Sequence, residues 1–213
     1  MYMWPVSLAS QGSNEVISCL HKHLQRPTTA TTLIAFSDAC GGQNHNINVA
    51  CFWMHVVCSS EFSYTTISHK FMVSGHSYLP NDRDFGSIEK ANRKCQHVYV
   101  PEEWSNLVET CRKKNPFTVT RMKTEDFIST SQLRAQIVYR KKNTNKEKVD
   151  WLSIRWLQFK KDKPFQIFYK YSHNDLEDHI CQEEISWASI HLIWVALLFL
   201  CSMVVPAQSM RRS

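Results

Sequence analysis

Two acidic residues stand where an α/β fold would place catalytic carboxylates. Asp38 closes the apolar run Thr32-Leu-Ile-Ala-Phe-Ser37, and in open α/β sheets the carboxyl ends of strands face the ligand crevice. Asp82 follows beyond a second strand-like segment, just inside a helix that begins at Pro80. Carboxylates on neighbouring elements can share a Mg²⁺ or Mn²⁺ ion, since hard cations take oxygen ligands and Mg²⁺ draws few of them from protein. Two such ions can clamp the attacking and leaving oxygens of a phosphodiester. The same residues also have a purely structural reading, with Asp38 in a turn and Asp82 favoured by a helix dipole. Spacing alone favours the structural reading, because loop acids are common and function must be argued from a site.

The elements that must position these acids are legible from periodicity. Residues 13–24 place Val16, Ile17, Leu20 and Leu24 on one helical face, with Ser13 as a cap and Pro27 beyond the end. Residues 32–38 read as a buried strand opening into the tight loop Cys40-Gly-Gly-Gln-Asn44. Residues 46–57 return to helical spacing through Ile47, Ala50, Met54 and Val57. Residues 65–73 alternate through Ile67, Phe71 and Val73. A helix from Pro80 carries Phe85, Ile88 and Glu89. Another, from Pro101 to Lys114, carries Trp104, Leu107, Val108 and Cys111. Segments 117–122, 152–159 and 165–171 are strand-like, the last with Phe165, Ile167, Tyr169 and Tyr171 on alternate positions. This order describes an α/β domain with a mixed sheet flanked by helices.

Composition narrows the class. With 43% hydrophobic and 21% charged residues in 213, the chain is globular rather than disordered. The net charge of +6 is concentrated. Residues 134–163 hold 10 Lys or Arg against 3 Asp or Glu, which leaves the remainder near neutral. Within that block Trp151, Trp156 and Phe159 lie among Arg155, Lys160 and Lys161. With Arg140, Lys141 and Lys142 they form a candidate surface for nucleic acid, although a solvated lysine-rich face fits the charge equally well. The start Met-Tyr-Met-Trp-Pro-Val has no basic, apolar leader pattern, so the eight cysteines read as reduced thiols. Cys40, Cys51 and Cys58, with His45 and His55 between them, match no paired zinc-knuckle spacing. Residues 173–184 read as a polar linker. Residues 185–206 hold no Asp, Glu, Lys or Arg. As a helix they would extend roughly 33 Å, long enough to cross a bilayer. A membrane anchor therefore stands beside a nuclear or cytoplasmic location.

The wording of three segments carries a resemblance. Ser37-Asp-Ala-Cys-Gly-Gly-Gln-Asn-His-Asn46, His69-Lys-Phe-Met-Val-Ser-Gly-His76 and Leu79-Pro-Asn-Asp-Arg-Asp-Phe-Gly-Ser-Ile-Glu-Lys90 resemble a transposon-derived domain family rich in arthropod members. That family carries a "SDNCGGQNKN"-type loop and a "GHT…D…FG"-type segment. Met1-Tyr-Met-Trp4 and Gly12-Ser-Asn-Glu-Val-Ile-Ser-Cys19 resemble its upstream segment. The likeness is close over residues 1–95, looser to about residue 172, and does not extend to the apolar tail.

The family pattern is in turn similar to RNase H-like, three-acid transposases and integrases. The resemblance implies that Asp38 is the second acid and Asp82 the later one, with Asp84 and Glu89 as further metal candidates. It also implies that His76 orients a carboxylate or touches a phosphate, and it places Gln43 and Asn44 in the loop that approaches nucleic acid. Val6 stands where the family has Glu, Gln11 where it has Arg, and Ala39 where it has Asn. The first acid would lie on a strand before Met1, so the domain of residues 1–172 is expected to be partial. Loss of one carboxylate in three weakens Mg²⁺ binding, and the missing hairpin would expose a sheet edge. The expectation is a truncated or degenerate nuclease domain, inactive alone. A non-catalytic nucleic-acid-binding remnant and a membrane-anchored product are the alternatives.

Overall fold

The computed structural model describes residues 1–73, 80–95, 100–130, 142–176 and 179–182. In chain order its elements are β1 (Tyr2–Met3), α1 (Ser13–Leu24), β2 (Thr32–Ser37), α2 (Ile47–Cys58), β3 (Thr66–Phe71), α3 (Pro80–Asn92), α4 (Pro101–Thr110), β4 (Thr120–Arg121), β5 (Trp156–Lys160), β6 (Lys163–Lys170) and β7 (His179–Gln182). Five strands form one mixed sheet in the order β2-β3-β5-β6-β7. β2 and β3 run parallel, and the other neighbours are antiparallel. The mixed α/β architecture expected from the sequence is present.

The helix α2 explains how the layers hold together. Eight of its twelve residues are buried, so it is central rather than one-sided. Asn46 starts it, its side-chain oxygen accepting from the Asn48 and Val49 N–H groups at 3.0 and 3.2 Å. Val49, Trp53, Val56 and Val57 pack with Ile67 and Phe71 of β3, Leu157 and Phe159 of β5 and Ile167 of β6. α1 packs against α2 and buries Ile17 and Leu24. Its start is held by Glu15, which accepts from the Gly12 N–H at 2.9 Å, so Gly12 rather than Ser13 is the capping position. The loop at 126–130 is stitched to α1 through Lys22–Asp126, Ile128 N–H to Ser18 Oγ and Thr130 to Asn14.

Four expectations need correction. β2 is not a buried central strand. Its residues alternate between half-buried and exposed, and among the described residues it pairs only with β3, at the sheet's edge. Residues 151–153 form a 3₁₀ turn before β5 begins at Trp156. The stretch expected to be a polar linker contributes β7, which pairs with β6. The helix from Pro101 is also shorter than its apolar periodicity suggested and ends at Thr110. Among the described residues no helix is long and apolar enough to cross a membrane. Residues 185–206, the expected spanning segment, lie outside the described residues.

The sheet has two unlike faces. Leu33, Ala35, Ile67, Leu157, Phe159, Ile167 and Tyr169 point to the core under α2. Strand alternation and the observed register put Ile34, Phe36, Ser68, Lys70, Trp156, Gln158, Lys160, Phe168 and Lys170 on the opposite face. There Ile34 and Phe36 are 54% and 55% exposed.

Candidate functional site

Asp38 leaves the C-terminal end of β2 as an exposed residue, and a buried polar chain fixes the turn that carries it. The Trp53 indole N–H on α2 donates to His69 Nδ1 at 3.1 Å. An indole nitrogen can only donate, so Nδ1 must be an acceptor and the proton of the neutral ring sits on Nε2. That Nε2–H then donates to Ser37 Oγ at 2.9 Å, and the Ser37 hydroxyl donates to the Asp38 carbonyl at 2.8 Å. His69 is only 3% exposed. Burial, and secondarily the nearby His45, push its pKa down to about 3.

Ser37 and His69 superficially resemble a nucleophile and its base. They cannot serve as one in this arrangement, because the basic lone pair a general base needs is occupied by Trp53. The chain Trp53–His69–Ser37 instead holds one helix, two strands and the Asp38 carbonyl in register.

The loop beyond Asp38 is tightly wound. The Cys40 carbonyl accepts from the N–H groups of Gln43, Asn44 and His45 at 3.2, 2.9 and 2.9 Å. The Asp38 carboxylate accepts from Asn44 Nδ2 at 2.6 Å and, more weakly, from the Cys40 N–H at 3.4 Å. Gln43 donates to the Gln11 carbonyl at 3.0 Å. Gln43 and Asn44, expected to approach nucleic acid, are thus engaged in shaping the loop. His45 turns inward, 1% exposed, and stacks on Phe71 with ring centroids 3.9 Å apart. Neither of its ring nitrogens makes a hydrogen bond of standard geometry. Burial and then the Arg155 charge lower its pKa, against an opposing pull from the Trp151 backbone.

The other acids lie on α3, which packs against α4. Asp82 is exposed in its first turn. Asp84 accepts from Arg112 at 2.8 Å, and Glu89 from Arg93 at 2.6 Å one helical turn away. Both carboxylates thus face guanidinium partners, Asp84 in a half-buried pair and Glu89 in an exposed one. His76 lies outside the described residues. Among those described, no group of three or more His, Cys, Asp or Glu side chains is arranged to hold a metal ion. Among the described residues the cysteines considered for zinc form no such group, Cys40 being exposed and Cys51 buried.

The basic block is divided by the fold. Arg140 and Lys141 lie outside the described residues. Lys142 is exposed and bridges to Lys148 through the backbone. Arg155 is half-buried, and its N–H donates to the Lys170 carbonyl at 2.8 Å. Lys161 is exposed at the β5–β6 turn. Phe159 is wholly buried, which removes it from the expected aromatic surface, whereas Trp156 and Lys160 face outward. Lys70, on a different strand, lies 4.1 Å from the Trp156 ring and 5.9 Å from the Phe36 ring. Sequence reading missed this because partners 86 positions apart meet only through the β3–β5 pairing, Lys70 opposite Trp156.

No protein-family model matches the chain, and no curated protein or solved structure is significantly similar to it.

Proposed function

We propose that this chain is a mobile-element-derived domain of the RNase H-like transposase and integrase type, whose own acids do not complete a metal site and which is inactive alone. The observation that carries the reading is the placement of Asp38. Its exposed carboxylate stands at the C-terminal end of a strand on a turn braced by Ser37 and His69, oriented by Asn44, inside the segment that resembles the family's loop. Asp82 is the candidate partner. In such enzymes Mg²⁺ would supply an activated nucleophile and stabilise the leaving oxygen.

The donor set in this chain does not fit that role. Asp84 and Glu89 are paired with arginines, and no three-donor group exists among the described residues. No catalytic step is therefore assigned to these residues. Among the described residues the outer edge of β2 is unpaired, and a further parallel strand added there would bring a residue beside Asp38; this supports reading the site as one completed from elsewhere.

The test is a cleavage assay on duplex and single-stranded DNA with Mg²⁺ or Mn²⁺. The expected result is no cleavage by this chain. Metal-dependent cleavage abolished by Asp38→Asn would overturn the claim of inactivity. A fold in which the edge of β2 proves to be occupied by another strand in solution, without a carboxylate, would overturn the site itself.

A further inference from the structure

The outward face of the five-stranded sheet combines an exposed phenylalanine ring with several lysines. Its strands contain Lys70, Lys160, Lys163 and Lys170 and not one Asp or Glu. Two of these ammonium groups converge on one ring: Lys70 Nζ lies 4.1 Å and Lys170 Nζ 5.1 Å from the centroid of Trp156. Lys160 lies 4.5 Å over Phe168. Like charges drawn to one ring repel each other, and the ring quadrupole offsets only part of that repulsion. Lys70 makes no ion pair among the described residues. Lys170 also donates to the Asp175 carbonyl at 2.8 Å, which positions it.

Phe36 differs from Trp156 in a way that matters. Lys70 covers the Trp156 ring, whereas it sits at 5.9 Å from Phe36, the outer limit of a cation–π contact. Phe36 is 55% exposed, with Ile34 beside it on the same face at 54%. An accessible ring next to an ammonium group suits a base stacked on the ring and a phosphate held by the amine.

We propose that this sheet face binds single-stranded nucleic acid, with Phe36 as the stacking surface and Lys70 and Lys160 as phosphate contacts. The charge of the face selects an anionic polymer over an apolar partner. The exposed ring selects unpaired bases, since a duplex keeps its base faces stacked inside. This inference shares with the proposed function only the class of partner. It needs neither Asp38 nor a metal ion.

The test uses the full chain in EDTA, with 20-nucleotide polypyrimidine DNA and RNA followed by fluorescence anisotropy. Binding should weaken steeply between 50 and 200 mM salt, as expected when several phosphates are neutralised, roughly tenfold or more. Phe36→Ala should weaken it by about tenfold, the scale of one lost base stack. Phe36→Trp should retain affinity, and Phe36→Leu, which keeps apolar bulk, should fail like Ala. Lys70→Glu should weaken DNA and RNA binding alike. Because Phe36 is exposed on an edge strand, these variants should fold, which circular dichroism checks. Equal affinity for Phe36→Ala and the parent chain would overturn the proposal, as would tighter binding to duplex than to single strand. Self-association that depends on Phe36, with no oligonucleotide binding, would assign the face to a second copy instead. No binding here together with metal-dependent cleavage in the separate assay would overturn both this proposal and the claim of inactivity. Binding in EDTA without any cleavage would support the platform independently of the nuclease reading.

Discussion

Acidification should destabilise this protein through His69, and the size of the effect can be worked from the site. The buried ring is held neutral with a pKa of about 3, against an ordinary value of 6.5. Below pH 6.5 the unfolded chain therefore binds a proton that the folded chain refuses. Stability rises with pH wherever the unfolded state binds more protons. The cost accordingly begins near pH 6.5, deepens as pH falls and stops growing near pH 3. At pH 5 the gap is about 1.5 pH units below the unfolded value, which corresponds to about 2 kcal/mol from this one residue. At pH 7.5 the cost is nearly zero.

His21, His23, His45 and His55 also have lowered pKa values, chiefly from burial, and add slope in the same direction. The informative quantity is thus a difference between two proteins. His69→Gln keeps an acceptor for the Trp53 indole and a donor for Ser37, but cannot titrate. Urea unfolding at pH 7.5 and pH 5 should show a loss of stability in the parent chain that exceeds the loss in His69→Gln by about 2 kcal/mol. Identical losses in the two proteins would refute the assigned burial and tautomer of His69. A parent chain that gains stability at pH 5 would do so even more directly.

Two further outcomes follow from local structure. Asn46→Ala removes the oxygen that caps α2 and should lower unfolding stability by about 1 kcal/mol, measured in the same urea titration. Thiol labelling at pH 8, read residue by residue by mass spectrometry, should modify the exposed Cys40 and Cys95 well before Cys19. Burial, with the charges of Asp126 and Glu15, pushes the Cys19 thiol up to about 11, and the thiolate is the reactive form.

Much of the fold could be read in the sequence where the signal is local. The boundaries of α1 came directly from four apolar residues at helical spacing. β3 and β6 came from strict alternation. What resisted reading depended on partners distant along the chain. The run Leu33-Ile-Ala-Phe36 looks like a buried strand because it is continuously apolar, and nothing within it says that β2 has one neighbour among the described residues and one exposed face. The helical spacing of Ile47, Ala50, Met54 and Val57 marks only one face of α2, yet α1 and the sheet enclose it from both sides. β7 lies in a segment rich in acids and polar residues that gave no strand period over its four positions. The acid at Asp38 was identifiable from its strand end. The engagement of Asp84 and Glu89 with arginines was only half visible, since Glu89–Arg93 is a local helical pair but Asp84–Arg112 joins two helices. The roles of Ser37, His69 and Trp53 were hidden, because three residues on three elements form a chain only after the sheet and helix pack.

The two proposals meet on β2, and strand geometry explains how they can be separate. Side chains alternate across a strand, so Leu33, Ala35 and Ser37 face the core while Ile34 and Phe36 face solvent. The inward set, ending in Ser37, fixes the turn that carries Asp38; the outward set supplies the ring beside Lys70. Phe36 and Asp38 are two residues apart, about 7 Å along an extended chain. A nucleic acid stacked on Phe36 would then bring a phosphate close to the Asp38 carboxylate, where the two anions repel over a distance well inside the Debye length at physiological salt. A cation bound at Asp38 would relieve that repulsion. Lys70, paired opposite Phe36, would hold the backbone at that same strand end, whereas Lys160, level with Thr32 through Thr66, would draw it across to the opposite end of the sheet. On the proposed reading, a carboxylate donor supplied along the outer edge of β2, which is unpaired among the described residues, is what would bring metal chemistry to that phosphate.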